Sequence, residues 1–242
     1  MPFLPRLTLT AALALLAATA RAQVDDLPTG LLGLVTLPEV FSGPGCEPHT
    51  PQDIPLYAAP DDLARGRAPV GRITVVQPME LLSPGNCNGS VAQLRWADGK
   101  TSEEWPIKES GYEERAAVVV RRRGDMLQIT TDRAPAWIHR PGLAGYLPAG
   151  KLLEGQLLDL PHDLRPLART APGGGQRPRL DWPPKSAAFI QAREIRGETW
   201  LQLEVRATEA CTDTEAPPKA TIWVPFHDAR RRPTLWFFSR GC

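Results

Sequence analysis

The stretch "RGDMLQI" (residues 123–129) recurs further along the chain in the expanded form "RGETWLQL" (residues 196–203). In each copy a glycine among charged residues precedes alternating polar and apolar residues, the pattern of a tight turn that opens a β-strand. A β-rich run leads into each turn, "AAVVVRR" in the first copy and "AFIQAREI" in the second. Each copy therefore predicts a β-hairpin, and the recurrence predicts two related halves.

The likeness extends outward from both hairpins. Upstream, "IPLYAAPDD" (residues 54–62) resembles "RPLARTAPGG" (residues 165–174), and downstream "AWIHR" (residues 136–140) matches "IWVPF" (residues 222–226). Three short markers in the same order indicate an internal duplication.

The spacing of the markers differs between the copies. Pro60 and Gly124 are 64 positions apart, whereas Pro172 and Gly197 are 25 positions apart. The first copy therefore contains an insertion, within residues 83–114. There the two-residue turn signal "DG" between "AQLRW" and "TSEEWPI" predicts a further β-hairpin.

The order "PLYAAP", strand, "RGDMLQI", "AWI" resembles the bacterial SH3-like (SH3b) domain, and the second copy fits best through "GETWLQLEV" and "TIWVPF". The likeness covers residues 52–140 and 164–228. The first copy departs from the family pattern at Met126, where Trp is usual, and Ala136 and Ile222 replace the usual Gly before the closing Trp. The resemblance implies SH3-like barrels, and members of this family commonly target cell-wall peptides or act as accessory modules of exported enzymes.

The composition agrees with a β-protein, because 26 Pro and 20 Gly against three Tyr and six Phe indicate many turns and short strands. The predicted fold is all-β, with two tandem SH3-like small β-barrels, the first carrying the β-hairpin insertion. The candidate helix at residues 148–160 can equally be a connector. We expect a signal peptide at residues 1–22, a first SH3-like domain with the insertion at residues 23–150, and a second with a C-terminal strand extension at residues 151–242.

The N-terminal 22 residues predict export. They contain an early Arg, an apolar run at residues 9–18 and the tripeptide "ARA", which is typical of a secretory signal peptide. The run is shorter than the roughly 20 apolar residues that a membrane-spanning helix needs. We therefore expect a periplasmic or secreted protein without stable membrane insertion.

The charge balance gives no reason to expect a nucleic-acid partner. Removing Arg6 and Arg21 with the signal peptide leaves 26 of the 28 basic side chains against 27 acidic ones. Binding to nucleic acid depends on an excess of cations that neutralise phosphates.

An even number of cysteines in an exported chain favours disulfides. Cys46, Cys87, Cys211 and Cys242 allow three pairings, and separate folding of the halves would favour Cys46–Cys87 with Cys211–Cys242. Free thiols are the alternative. A metal site is not expected, because the sequence has no C-x-x-C pair.

The sequence carries no recognisable catalytic motif. Cys46 lies in "SGPGCEPHTP", which is too rich in Pro and Gly to open the helix that a cysteine peptidase uses. The four histidines are scattered without H-E-x-x-H spacing, and neither a G-x-S-x-G elbow nor a P-loop is present. The protein is therefore predicted to be non-enzymatic and to need no cofactor.

Aromatic side chains are the candidate ligand-binding residues. Tyr57 and Trp137 are predicted to line a groove in the first module, with Tyr112 and Tyr146 flanking it, because extended peptides are often held in aromatic-lined grooves. The alternative is that these rings are core. In the tail, residues 235–238 form an apolar strand, which is core if Cys242 ties it to the second module and is otherwise exposed.

These observations predict a non-enzymatic exported binding module that engages a cell-wall peptide or another periplasmic protein. The alternative is a structural scaffold protein of the envelope with no small ligand, and the third possibility is a hydrolase with an unrecognised site. An open groove at Tyr57 and Trp137 would favour peptide binding, whereas burial of both rings would favour the scaffold.

Overall fold

The computed structural model describes residues 27–37, 41–42, 47–48, 53–76, 91–110, 114–160, 163–209 and 219–237. These residues form several antiparallel β-sheets with very little helix, which confirms the all-β prediction. By contacts the chain divides into two compact units, Leu31–Leu152 and Leu153–Cys242, the second of which also includes residues 1–30. Within the described ranges, no helix is long and apolar enough to cross a membrane.

The N-terminal unit, Leu31–Leu152, contains two main sheets. Its strands are β1 (Gly33–Thr36), β2 (Phe41–Ser42), β3 (Glu47–Pro48), β4 (Asp53–Leu56), β5 (Gly71–Val76), β6 (Val91–Trp96), β7 (Thr101–Ser102), β8 (Ile107–Glu109), β9 (Arg115–Arg123), β10 (Met126–Ile129), β11 (Ala136–His139) and β12 (Tyr146–Pro148). The first sheet has the order β11-β10-β9-β1-β12, with β8 also paired to β9. The second has the order β4-β5-β6-β7, and β2 and β3 form a separate hairpin.

One face of each main sheet supplies the core of this unit. Side chains alternate between the two faces of a strand, so the apolar residues at every second position point inward together. The Trp105 indole N–H, which is also inside, donates to Ala92 O at 2.8 Å. The buried core residues include Val35, Ala117, Val119, Leu127, Ile129, Ala136 and Ile138 on the first sheet and Ile54, Leu56, Ile73, Val75, Ala92 and Leu94 on the second.

The C-terminal unit repeats five of the six strands of the first sheet in the same order, without a counterpart of β8. Its strands are β13 (Leu157–Asp159), β14 (Ser186–Ile195), β15 (Glu198–Arg206), β16 (Lys219–Pro225) and β17 (Trp236–Phe237), in the order β16-β15-β14-β13-β17. Val35 in β1 is paired on its two sides with β9 and β12, and Leu158 in β13 is paired in the same way with β14 and β17. The internal repeat therefore includes two short strands, β1 and β13, that the sequence markers did not reveal.

The apolar tail is the last strand of this repeat. Leu235, Trp236 and Phe237 are buried, and β17 occupies the place that β12 has in the N-terminal unit. The tail therefore belongs to the core of its unit, as one of the two alternatives predicted.

The two related hairpins turn at different positions. The first encloses Gly124 and Asp125, and only Gly124 has a positive φ, of 57°. The second encloses Arg196 and Gly197, whose φ angles of 53° and 76° are those of a type I′ turn. The second copy has one extra residue between its glycine and the Leu-Gln pair that both copies share. Its turn is therefore shifted, and its two strands pair over a longer stretch before that pair.

The hairpin predicted in the insertion is present, but its loop has three residues and not two. The Trp96 N–H donates to Lys100 O at 2.8 Å, and the loop ends at Gly99, which has a φ of 81°. A glycine in the left-handed region at the third position is typical of three-residue hairpin loops. The segment predicted as a helix or connector, residues 148–160, contains a single helical turn, α1 (Ala149–Leu152), followed by β13.

The segment before β1 groups with the C-terminal unit. The Gly30 N–H donates to Arg231 O at 2.7 Å, and Leu27 is buried. The sequence placed these residues in the first domain and its boundary after residue 150, whereas the units change between Leu152 and Leu153. The predicted signal peptide and all four cysteines lie outside the described residues.

Candidate functional site

A row of four side chains crosses the first sheet on the face opposite the core. Arg121, Gln128 and Trp137 are direct partners in β9, β10 and β11, and an isolated bridge joins Trp137 to Tyr57. The bridge consists of two backbone hydrogen bonds of 2.8 Å, each residue donating its N–H to the carbonyl of the other. Directly opposed residues in an antiparallel pair share a face. These four residues, termed the first row, therefore lie side by side on the outward face.

The C-terminal unit has the same arrangement. Gln191, Gln202 and Trp223 are direct partners in β14, β15 and β16, and Trp223 is bridged to Arg169 by backbone hydrogen bonds of 2.8 and 2.9 Å. The Gln191 side-chain N–H donates to Gln202 Oε1 at 2.6 Å. These four residues are termed the second row.

The two rows share their centre and differ at their ends. Each has a Gln-Trp pair in the middle, but the first row has Arg121 at one end and Tyr57 at the bridge. The second row has Gln191 at the first end and Arg169 at the bridge. The backbone pairing therefore places Arg169 where the first row has Tyr57.

The structure brings Tyr57 and Trp137 together but does not form an open groove between them. Tyr57 is 6% exposed and Trp137 is 7% exposed, and with Met126 they form a small buried cluster separate from the main core. The prediction that these two rings line an open groove therefore does not agree with their burial. Although both rings lie on the outward face of the sheet, mutual packing and the Met126 side chain cover them.

The flanking tyrosines do not join this cluster. Tyr146 lies in β12, at the opposite edge of the sheet from β11, and packs partly buried against the main core. Its hydroxyl is 3.4 Å from Leu32 O. Tyr146 is therefore placed as a structural residue, and Tyr112 lies outside the described residues.

Two arginines neighbour Trp223: Arg193, whose guanidinium lies over its ring, and Arg169, whose backbone bridges it. The Arg193 Cζ atom lies 5.6 Å from the ring centroid, which is within range of a cation–π contact. The Arg169 Nη1 group donates to Pro166 O at 3.1 Å and to Ala168 O at 2.7 Å. In the part of the chain that the structure describes, neither guanidinium has a carboxylate within ion-pair distance.

The corresponding arginine of the N-terminal unit is paired with an acid. Arg123 and Arg193 have the same place beside their rows, and Arg123 Nη1 lies 3.1 Å from Asp61 Oδ2. Asp61 follows its bridge residue by four positions, and the residue at the same distance in the second copy is Gly173. Gly173 has a φ of 75°, and a Cβ atom there would stand 2.6 Å from Ile195 Cγ2. The second copy therefore has no carboxylate at that position, and the loop conformation disfavours any side chain there.

Glu204, a carboxylate in the same strand as Gln202, is already neutralised. Glu204 follows Gln202 by two positions on the same outward face, 3.1 Å from Arg206 Nη2 and 3.4 Å from Lys219 Nζ. The hydrogen bond from Arg206 is the main cause that lowers the pKa of Glu204. Glu198 accepts the Trp200 indole N–H at 3.0 Å. The second row is therefore left with cations and amides that have no internal acid.

Histidines and acids do not converge on a metal-binding group among the described residues. His139 is exposed at the end of β11, whereas His227 is buried with its ring 4.8 Å from that of Phe226. His49 and His162 lie outside the described ranges.

Comparisons with models of known protein families, with curated proteins and with solved structures found no match for this chain. The residues of the two rows are therefore the basis for its functional interpretation. Sequence reasoning found the central Gln and Trp residues through the repeated motif but missed Arg193. An alignment on the two glutamines pairs Arg123 with Gly197, because the second hairpin is longer at its turn, and only the strand register matches Arg193 to Arg123.

Proposed function

We propose that this protein is a non-catalytic exported binding protein that engages a cell-wall peptide or another exported protein. The proposal includes the idea that each unit is a divergent SH3-like module. The observation that carries it is the Gln-Trp pair, Gln128 with Trp137 and Gln202 with Trp223, at the same register on the outward face of both sheets. Packing of the main core does not require an amide at this position.

An extended peptide offers backbone donors and acceptors in alternation. A glutamine side chain supplies both kinds of group, and the buried tryptophan opposite each glutamine gives it a fixed support in the sheet. A sheet face with this pair at its centre therefore suits a peptide, with affinity from backbone hydrogen bonds and specificity from the differing ends of each row.

The experiment is a pull-down of the mature chain expected after export, residues 23–242, with purified peptidoglycan sacculi. A Gln128→Ala/Gln202→Ala double variant removes both central amides without touching the buried rings. Gln93→Ala is the matched control, because Gln93 is a half-buried amide on the outward face of the other sheet. Retention of the wild type and the control with loss of the double variant supports the proposal.

A structural scaffold is the second candidate, and the burial of Tyr57 and Trp137 favours it. A scaffold that binds no peptide would fail to co-sediment with sacculi in every variant. It would also fail to capture exported proteins from a periplasmic extract. That combined result would reject the binding function and leave the scaffold.

A further inference from the structure

We infer that the second row, with Arg193 beside it, is a binding site for the carboxylate group of a peptide. This inference rests on the proposed binding function and names the ligand chemistry of one of its two modules. The site consists of the Arg193 guanidinium over the Trp223 ring, Gln202 as the direct strand partner of Trp223, and Arg169, whose backbone bridges Trp223.

The comparison between the two copies indicates that Arg193 lacks the carboxylate partner that Arg123 has. In the N-terminal unit, Asp61 neutralises Arg123 and also lies 3.8 Å from Arg65. In the C-terminal unit, the matching position is Gly173, which has no carboxylate and whose conformation disfavours a side chain. An external carboxylate would therefore take the place that an internal one has in the first copy.

Guanidinium groups suit this ligand well. Their planar donors match the two oxygens of a carboxylate, and such charge-assisted hydrogen bonds are stronger than neutral ones. Arg193 is exposed, so it can reach a ligand from solvent. Arg169 is held in place because its Nη1 group donates to two backbone carbonyls. Its remaining N–H donors are available to an incoming carboxylate.

The test titrates residues 23–242 with three acetylated tripeptides and follows the indole N–H resonance of Trp223 by NMR. The first is acetyl-Ala-Ala-Ala with a free C-terminal carboxylate, the second is acetyl-Ala-Asp-Ala amide, and the third is the neutral acetyl-Ala-Ala-Ala amide. We expect a saturable shift with at least one carboxylate peptide up to about 10 mM, where millimolar sites saturate. We expect none with the neutral amide. The responding peptide identifies the source of the carboxylate.

Variants test whether peptide binding depends on these two arginines or on positive surface charge in general. Arg193→Gln and Arg169→Gln are each expected to weaken binding about tenfold, the effect of losing one charge-assisted hydrogen bond. Arg169→Lys keeps the charge but loses the planar fork, and it should also weaken binding. The matched control, Arg230→Gln, changes an exposed arginine of the same unit outside the row and should bind like the wild type.

An equal response to the neutral amide, no response to any peptide, or unchanged binding by Arg193→Gln would overturn the inference. The sacculus pull-down distinguishes failure of the carboxylate site from failure of the proposed binding function. If sacculi retain the wild type and Arg169→Gln/Arg193→Gln equally, the carboxylate site is rejected while the binding function stands. If the tripeptides bind but sacculi do not, the site stands and the wall ligand is rejected.

Discussion

Gly33 and Leu147 lie so close across β1 and β12 that a Cβ atom added to Gly33 would stand 2.2 Å from Leu147 O. The two strands pair directly at this point, with Gly33 opposite Pro148 and Leu34 opposite Leu147. Because both neighbouring groups are backbone, neither can move aside without disrupting the pairing. Only glycine permits this approach.

Gly33→Ala is therefore expected to destabilise the N-terminal unit by about 3 kcal/mol, at the upper end of typical overpacking costs. Gly99→Ala is the control, since Gly99 has a positive φ but open space around it. Its cost should be about 1 kcal/mol, from backbone strain alone. Guanidinium denaturation followed by circular dichroism measures both, and equal midpoints would contradict the steric explanation.

Trp137→Ala should destabilise the same unit by about 3 kcal/mol, the usual cost of removing a large buried aromatic side chain. The ring is 7% exposed and packs with Tyr57 and Met126. Trp182→Ala is the matched control, because Trp182 is only half-buried in the loop before β14. If both variants unfold at the same denaturant concentration, the small cluster on the outward face contributes little to stability.

Arg196→Asn should stabilise the second hairpin by about 0.5–1 kcal/mol, because Arg196 has a φ of 53° and Asn tolerates the left-handed region better than Arg. Asp125→Asn introduces the same residue at the first turn, where the φ angle is not positive. That control should leave stability unchanged. Thermal unfolding of the three proteins gives the comparison, and a lower melting temperature for Arg196→Asn would contradict the assignment of a type I′ turn.

The stability contributed by Asp53 should depend on pH. A hydrogen bond from the Thr74 hydroxyl, 2.7 Å long, and a second from Arg72 lower the pKa of Asp53 below its ordinary value of 3.8. A carboxyl whose folded pKa is depressed stabilises the fold above its unfolded pKa, and this contribution is lost as the pH falls through the folded value.

Asp53→Asn is therefore expected to be less stable than the wild type at neutral pH, and the difference should disappear as the pH falls below the folded pKa. Denaturation curves for both proteins between pH 7 and pH 2 measure it. A constant difference across this range would show that the effect of the substitution is steric and not electrostatic. Thr74→Val removes the hydroxyl donor to Asp53. Its stability should therefore fall less with decreasing pH than that of the wild type.

The duplicated motif was sufficient to predict much of the repeat. Gln128 and Gln202, together with Trp137 and Trp223, were aligned from sequence, and their strands pair in the same register. The hairpin around Gly99 was also predicted, although its loop length was wrong. These features depend on short-range patterns, because turn residues and alternating side chains act within a few positions of one another.

The sequence by itself determined the β-class, the two related hairpins and the closing tryptophans, since side-chain alternation and turn chemistry are local properties. Only the tertiary structure decided which distant strands pair. It placed β1 between β9 and β12, made the apolar tail the last strand of the repeat, and covered Tyr57 with Trp137 and Met126. It also brought Arg169 and Arg193, from two separate segments, next to Trp223. Those contacts join residues far apart in the chain, where no local propensity selects the partner.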